Sequence, residues 1–227
     1  MLKSFNILHK DVPILISENS TDSLTEGILT NVKVPFIRNI GFTHGPSVNT
    51  LLDAINTRYV LLVDTDVIFL KSHDVIFEKF KQMDLTIMGE IVGDRGGKKL
   101  HRRVNPWHCF IDVYKIKQNN ISFFDEKRMR LKNEIGYDVG SSFFEDIRKA
   151  NLKIGEFKGN GFYYKHYEGM SWRVGKYDPT LVEDGNIDLD PNSKHCNRGL
   201  MEYGQVINDI YHKETAYLNN VELKYEC

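Results

Sequence analysis

The sequence predicts an α/β fold: a mostly parallel central sheet flanked by helices, with a small mixed region beyond it. Three observations predict it. Apolar runs at residues 12–17 (VPILIS) and 59–63 (YVLLV) have strand length and end in polar clusters. Between them Val48, Leu51, Leu52 and Ile55 recur at helical spacing. The two patterns alternate over the first hundred residues, which is the signature of strands linked by crossover helices.

The elements follow in order. Residues 12–17 form a strand that runs into the polar loop 18–23, and 35–38 form a second strand entering the loop 41–47 (GFTHGPS). The helix from Val48 closes at Asn56 and Thr57, and YVLLV follows as a strand continuous enough in apolar character to be buried on both faces. Residues 75–83 read as a helix and 85–89 as a strand, while 93–99 (GDRGGKK) read as a mobile loop. Further on, 108–116 suit a strand or a strand entering a helix, 141–150 a helix, and 153–157 and 162–166 strands. Residues 178–192 are irregular and 201–216 suit a closing helix. The expected organisation is a core over 1–172, with a donor half to about residue 100 and an acceptor half after it, and a C-terminal extension over 173–227 packed on that core.

Composition narrows the function classes. Thirty basic and thirty-one acidic residues leave a formal charge of -1, which argues against a nucleic-acid or anionic-membrane footprint. The apolar runs are far shorter than the ~18 to 20 residues of a membrane span, and MLKSFNILHKD has no secretory signal pattern. Cys109, Cys196 and Cys227 are odd in number and lack CxxC spacing, so a reducing, cytoplasmic setting is expected and Cys109 reads as a core filler.

The chemistry-bearing triplet is Asp64-Thr65-Asp66, directly after YVLLV. In open α/β sheets ligands gather at the carboxyl ends of strands. Two carboxylates one residue apart on an extended segment point the same way, so both can reach one hard divalent cation, Mn²⁺ or Mg²⁺. Such an ion neutralises charge on a departing diphosphate. The triplet also suits a plain turn.

The segment GFTHGPSVNTLLDAINTRYVLLVDTD resembles the stretch of GT-A glycosyltransferases, family-two-like ones especially, in which a glycine loop, a helix and a buried strand lead into the DxD metal motif. The resemblance implies a GT-A, Rossmann-like fold and transfer of a sugar from a nucleotide diphosphate donor, a UDP-sugar, to a glycan hydroxyl, with Mn²⁺ or Mg²⁺ and with inversion. ISENSTDS is similar to the strand end those enzymes set against the nucleoside, with Glu18 in place of the first aspartate and Ser20 beside it. The departure lies upstream, where MLKSFNILHKD is either the family's first helix or, through FNIL, a shortened strand.

Carried onto matching positions, the resemblance makes Asp138 in YDVGSSFFEDIRKANLKIGEF the catalytic base, although Asp138 equally suits a cap on the next helix. Glu145 or Asp146 is the second choice, though both read as solvated helix residues. In FYYKHYEGMSWR, His166 becomes the third metal ligand beside Asp64 and Asp66, with Lys165 and Arg173 on donor phosphates or simply on the surface. In HRRVNPWHCFID, Arg103 would contact the donor, while Trp107 and His108 would face the acceptor; packing of Trp107 in the core is the alternative. Asp64 and Thr65 would also touch the donor, and Arg95 with Gly96 and Gly97 would form a lid over phosphates. Small size and a tail rich in Asn, Lys and Ile are similar to compact glycosyltransferase domains of large algal DNA viruses, which would set the chain in a host cytoplasm.

Two other classes fit less of the sequence. A nucleotidyltransferase making nucleotide sugars would carry an N-terminal glycine-rich phosphate loop, which the first strand does not supply. A non-catalytic glycan- or metal-binding module would leave Asp138 idle.

Overall fold

The computed structural model describes residues 1–19, 29–30, 33–39, 43–95, 98–132 and 137–166. Ser20, Gly96, Gly97 and Arg173, and with them the expected elements at 178–192 and 201–216, lie outside the described residues. The chain divides into two compact units, Met1–Lys10, Thr65–Ser72 and Asn160–Cys227 forming one, Asp11–Asp64 and His73–Gly159 the other.

The larger unit is mixed α/β, a sheet with helices on its faces. Strands β1 (Ile16–Glu18) and β2 (Phe36–Arg38) pair in parallel, Glu18 opposite Arg38. After helix α1 of the other unit, the helices of this unit whose bounds fall among the described residues are α2 (His44–Ala54), α3 (Asp74–Gln82), α4 (Val113–Gln118), α5 (Glu126–Lys132) and α6 (Ser141–Lys149). Helix α2 starts earlier than the apolar spacing predicted. Pro46 falls in its first turn, where a missing N–H costs no intrahelical bond, so the expected loop is already helical at His44. Gly45 lies against the Phe124 ring, where an added Cβ would come within 2.3 Å of Cγ. Asn49 completes the contact by accepting from Phe124 N–H and donating to its carbonyl.

The four-stranded sheet runs in the order β3 (Tyr59–Val63), β6 (Lys98–Asp112), β5 (Ile87–Arg95), β7 (Ile154–Glu156). Strands β3, β5 and β7 share one direction, and β6 runs against its neighbours β3 and β5. The mobile loop expected at 93–99 is instead strand on both sides of Gly96-Gly97: Asp94 pairs with Lys99 and Arg95 with Lys98. A glycine pair between two strands is a hairpin signal in the sequence, and β6 pairs antiparallel with β5. Strand β3 lies at one end of the sheet order and stays half-buried throughout, where burial on both faces was expected.

Alternation along β6 builds the core. Cys109 and Ile111 turn to one face, where they join Val48 and Leu52 of α2, Val113 and Ile116 of α4, and Phe143 and Ile147 of α6. His108 and Phe110 turn to the other, where the Phe110 ring stacks on Phe77 and Phe80 of α3. Cys109 is thus the core filler expected of it. Helices α3, α4 and α6 end alike: Asp84, Asn120 and Asn151 take positive φ, and the next residue donates back five positions, Leu85 to Phe80, Ile121 to Ile116, Leu152 to Ile147. Each is a Schellman stop closed by an apolar pair.

In the smaller unit MLKSFNILHKD is helical: α1 spans Leu2–Leu8. Strands β4 (Val67–Phe69) and β8 (Tyr164–His166) pair antiparallel, Val67 opposite His166 and Phe69 opposite Tyr164. Helix α1 packs on β4. Ser4 Oγ accepts from Phe69 N–H at 3.1 Å, and the Phe5 and Phe69 rings meet edge-on at 5.1 Å.

Candidate functional site

Thr65 and Asp66 form a turn between β3 and β4, so residues 64–66 are not the extended segment that the triplet suggested. The turn is fastened within the smaller unit. Asp66 Oδ1 lies 3.2 Å from His166 Nε2, with side chains only 10% and 4% exposed. The β4/β8 register explains the meeting, since Val67 faces His166 and Asp66 is the residue just before it. Asn160 Oδ1 accepts from the His166 backbone N–H, which fixes the end of β8. Lys165 is exposed between buried Tyr164 and His166, so the pleat turns it away from the face that carries His166.

Asp64 directly follows β3 in the larger unit, where its N–H donates to the Trp107 carbonyl at 3.0 Å. His44, first residue of α2, brings Nε2 to 3.9 Å from Asp64 Oδ1. Sequence reading put His44 in a loop and gave it no role; the signal was a histidine beside Pro46 at a helix start. Burial raises the Cys109 thiol well above its ordinary range, and the nearby Asp64 charge adds to the effect, so this cysteine stays protonated.

At the carboxyl ends of β1 and β2 a chain of hydrogen bonds joins three elements. Asn39 donates to Ser17 Oγ, Ser17 to Asn19 Oδ1, and Asn19 to Ser47 Oγ, each at 2.7 Å; Ser47 then donates to the Thr43 carbonyl at 2.9 Å. Glu18 is 4% exposed beside it, and its carbonyl accepts from Asn39 N–H. Sequence reading named Glu18 but missed Asn39 and Ser47, whose polar side chains carry no spacing signal.

Arg103 and Asp138 come together, Nη1 to Oδ2 at 3.0 Å. The cap alternative for Asp138 does not hold: the N-cap of α6 is Gly140, without a side-chain cap, and Asp138 Oδ1 accepts from its neighbour Val139 instead. Its carboxylate is 56% exposed. Glu145 and Asp146 are not solvated as expected. Arg128 grips Asp146 with Nη1 at 2.8 Å and Nη2 at 3.0 Å, and Tyr137 donates to Glu145 at 3.2 Å.

One expected contact is corrected. His108 was expected to face an acceptor, yet it is wholly buried, its Nε2 at 2.9 Å from His73 Nε2 and its ring beside Phe110 and Phe157. The strand alternation that sends Cys109 into one core sends His108 under α3. Trp107 is half-buried, and its carbonyl accepts from the Asp64 N–H. Arg95 lies in β5, its side chain outside the described atoms. Thr65 is exposed.

No family model and no curated protein matches the sequence. Solved structures do resemble the chain. One is the glycosyltransferase GlyE of Streptococcus pneumoniae TIGR4, at 11% identity and a TM-score of 0.49, over 94% of this chain and 59% of that one. Another is TarS of S. aureus in complex with UDP, at 14% identity and 0.47, over 93% and 67%. A third is 2-C-methyl-D-erythritol 4-phosphate cytidylyltransferase from Thermus thermophilus, at 13% and 0.44, over 72% and 81%. At these values the likeness assigns a role to no residue, and this chain spans about three fifths of the length of GlyE. Among the described residues no helix is long and apolar enough to cross a membrane.

Proposed function

We propose that the chain is a metal-dependent glycosyltransferase of GT-A type, taking a sugar from a UDP-sugar to a glycan hydroxyl with inversion. The observation that carries this reading is the pairing of Asp66 with His166, nearly buried and 3.2 Å apart. Carboxylate oxygens from Asp64 and Asp66 and one imidazole nitrogen from His166 make a donor set that suits Mn²⁺, and Mg²⁺ less closely. When bound, the ion would offset charge gathering on the leaving diphosphate.

The remaining roles belong to the chain. Glu18, at the end of β1 beside the hydrogen-bonded chain from Asn39 to Ser47, faces the nucleoside, with Ser20 close by in sequence. Arg95 and Arg173 bind the donor, and Trp107 lines the acceptor side. Asp138 takes the proton of the acceptor hydroxyl while that oxygen bonds to the anomeric carbon. The bond from that carbon to the diphosphate breaks, and its electron pair leaves with the diphosphate. A positioned base of this kind contributes about 10²- to 10⁴-fold.

The test needs no acceptor. Purified protein is heated with Mn²⁺ alone, with UDP-sugars alone and with both, and slow UDP-sugar hydrolysis is followed in parallel. A joint rise in Tm with release of UDP, both lost in Asp66→Ala, is the expected result. A nucleotidyltransferase would instead release pyrophosphate from a nucleoside triphosphate and a sugar phosphate. A binding module would hold glycan without nucleotide, unchanged by Asp138→Asn.

A further inference from the structure

Resting on the reading of Asp138 as the base, we propose that Arg103 is a positioning residue for Asp138 and not a contact to donor phosphate. Arg103 is itself largely withdrawn from solvent, 19% exposed against 56% for its partner, so the arginine is held inside the protein while the carboxylate stays open. A phosphate-binding arginine needs its donor fork free to form paired bonds with phosphate oxygens. Here Nη1 is already committed at 3.0 Å to Asp138 Oδ2.

Asp138 sits on the short stretch that leads into α6. Strand β6 takes hold of that stretch at three points. The His101 ring meets Tyr137 edge-on at 5.1 Å, Arg103 meets Asp138, and the Val104 carbonyl lies so near Gly140 that a Cβ there would approach to 2.8 Å. Gly140 also has φ +87°, a conformation that favours glycine. Local bonds finish the arrangement: Asp138 N–H donates to Ser141 Oγ at 3.0 Å, Ser141 N–H to the Asp138 carbonyl at 2.9 Å, and Val139 N–H to Oδ1 at 2.7 Å. One carboxylate oxygen is set by its own turn and the other by Arg103. Both carboxylate oxygens therefore have a partner that restrains their rotation, while the carboxylate stays 56% exposed. Rotational fixing of this kind matters because a misplacement of about 1 Å can cost on the order of 10²-fold in rate.

The experiment follows UDP-sugar hydrolysis with Mn²⁺ in wild type, Arg103→Gln, Arg103→Lys, Asp138→Asn and the double variant Arg103→Gln with Asp138→Asn, together with the Mn²⁺-dependent Tm shift of each. Positioning predicts that Arg103→Gln lowers kcat at least about 10-fold with donor KM and the Mn²⁺ shift unchanged. It also predicts that Arg103→Lys recovers part of the loss, and that Arg103→Gln costs nothing further once Asp138 is Asn. A raised donor KM with kcat unchanged in Arg103→Gln would make Arg103 a donor contact and overturn the proposal, as would unaltered kinetics or additive losses in the double variant. Hydrolysis at the wild-type rate by Asp138→Asn would remove the base itself and the inference with it. An impaired Asp138→Asn beside an unaffected Arg103→Gln would remove the inference alone.

Discussion

Asp66 and His166, a hundred positions apart in the sequence and at the ends of two short strands, meet at 3.2 Å because the β4/β8 register sets Val67 against His166. A carboxylate and an imidazole held nearly dry at this distance are either a structural pair or two ligands of one metal site. Asp66→Asn separates the two. It preserves shape and one acceptor oxygen, so as a ligand change it should alter the metal-free Tm little while removing the Mn²⁺-induced rise. For wild type that rise corresponds to about 2.7 kcal/mol at a hundredfold excess over Kd. If Asp66→Asn unfolds the metal-free protein several degrees earlier and Mn²⁺ shifts neither form, the pair is structural.

A second relationship concerns a buried charge. Asp112 is 1% exposed at the end of β6, where Oδ2 accepts from Arg58 Nε at 3.1 Å and Nη2 at 3.0 Å, and Oδ1 caps α4 by accepting from Lys115 N–H at 3.1 Å. Asp112→Ala removes the cap and the acceptor of a charged pair together, and should cost about 2–4 kcal/mol in urea unfolding. Asp112→Asn keeps the cap and should cost distinctly less. Equal losses from the two substitutions would mean that the cap contributes nothing.

What could be read from the sequence follows the range of the forces involved. The helices at Asp74–Gln82 and Ser141–Lys149 and the strand at Tyr59–Val63 fell within a residue or two of where periodicity put them, because an amphipathic stripe or a continuous apolar run is a local property. The strand pair around Gly96-Gly97 was misread as a loop because charged residues such as Asp94 and Lys99 carry no apolar period, and only their pairing makes them strand. At the candidate site Asp64 and Asp66 could be picked out from residue type and place, whereas Asp138 and His166 were named only through the family resemblance. Arg103 was named but its partner was not, since an ion pair between β6 and the turn before α6 is a fact of tertiary packing. His108 was misplaced for a related reason: strand alternation tells that neighbours point opposite ways, yet not which face α3 will cover. Asn39, Ser47 and His44 left no trace because single polar residues are common at strand ends and helix starts.

Tyr137 supplies a pH prediction. Burial raises its phenol most, the Glu145 charge adds to that, and Arg128 opposes both, leaving the group pushed up to about 12. Unfolded, it titrates near ~10. Between these values the folded state holds a proton that the unfolded state has lost, so this contribution to stability is intact below about pH 10 and disappears as pH climbs toward about 12. Tyr137→Phe should therefore show a shallower fall of Tm with pH over that window than wild type, while the two differ by a constant amount between about pH 7 and 9. Parallel curves throughout would exclude Tyr137 as the source.

Asn105 offers the last test. It lies in β6 at the irregular stretch where the β5 register slips between Gly89 and Ile91, it is wholly buried, and among the described residues neither atom of its carboxamide has a hydrogen-bond partner. A buried amide without partners is a standing cost, since its desolvation is not recovered, whereas an apolar group of similar shape bears none. Asn105→Leu should therefore raise stability by about 1–2 kcal/mol in urea unfolding. Sites that keep such a cost often keep it for function, and two residues on, the Trp107 carbonyl holds the Asp64 N–H. A stabilised Asn105→Leu that also hydrolyses UDP-sugar more slowly would attach the cost to the chemistry at Asp64. A lowered Tm would mean that the amide is satisfied by an internal water, and that the strand is built around it.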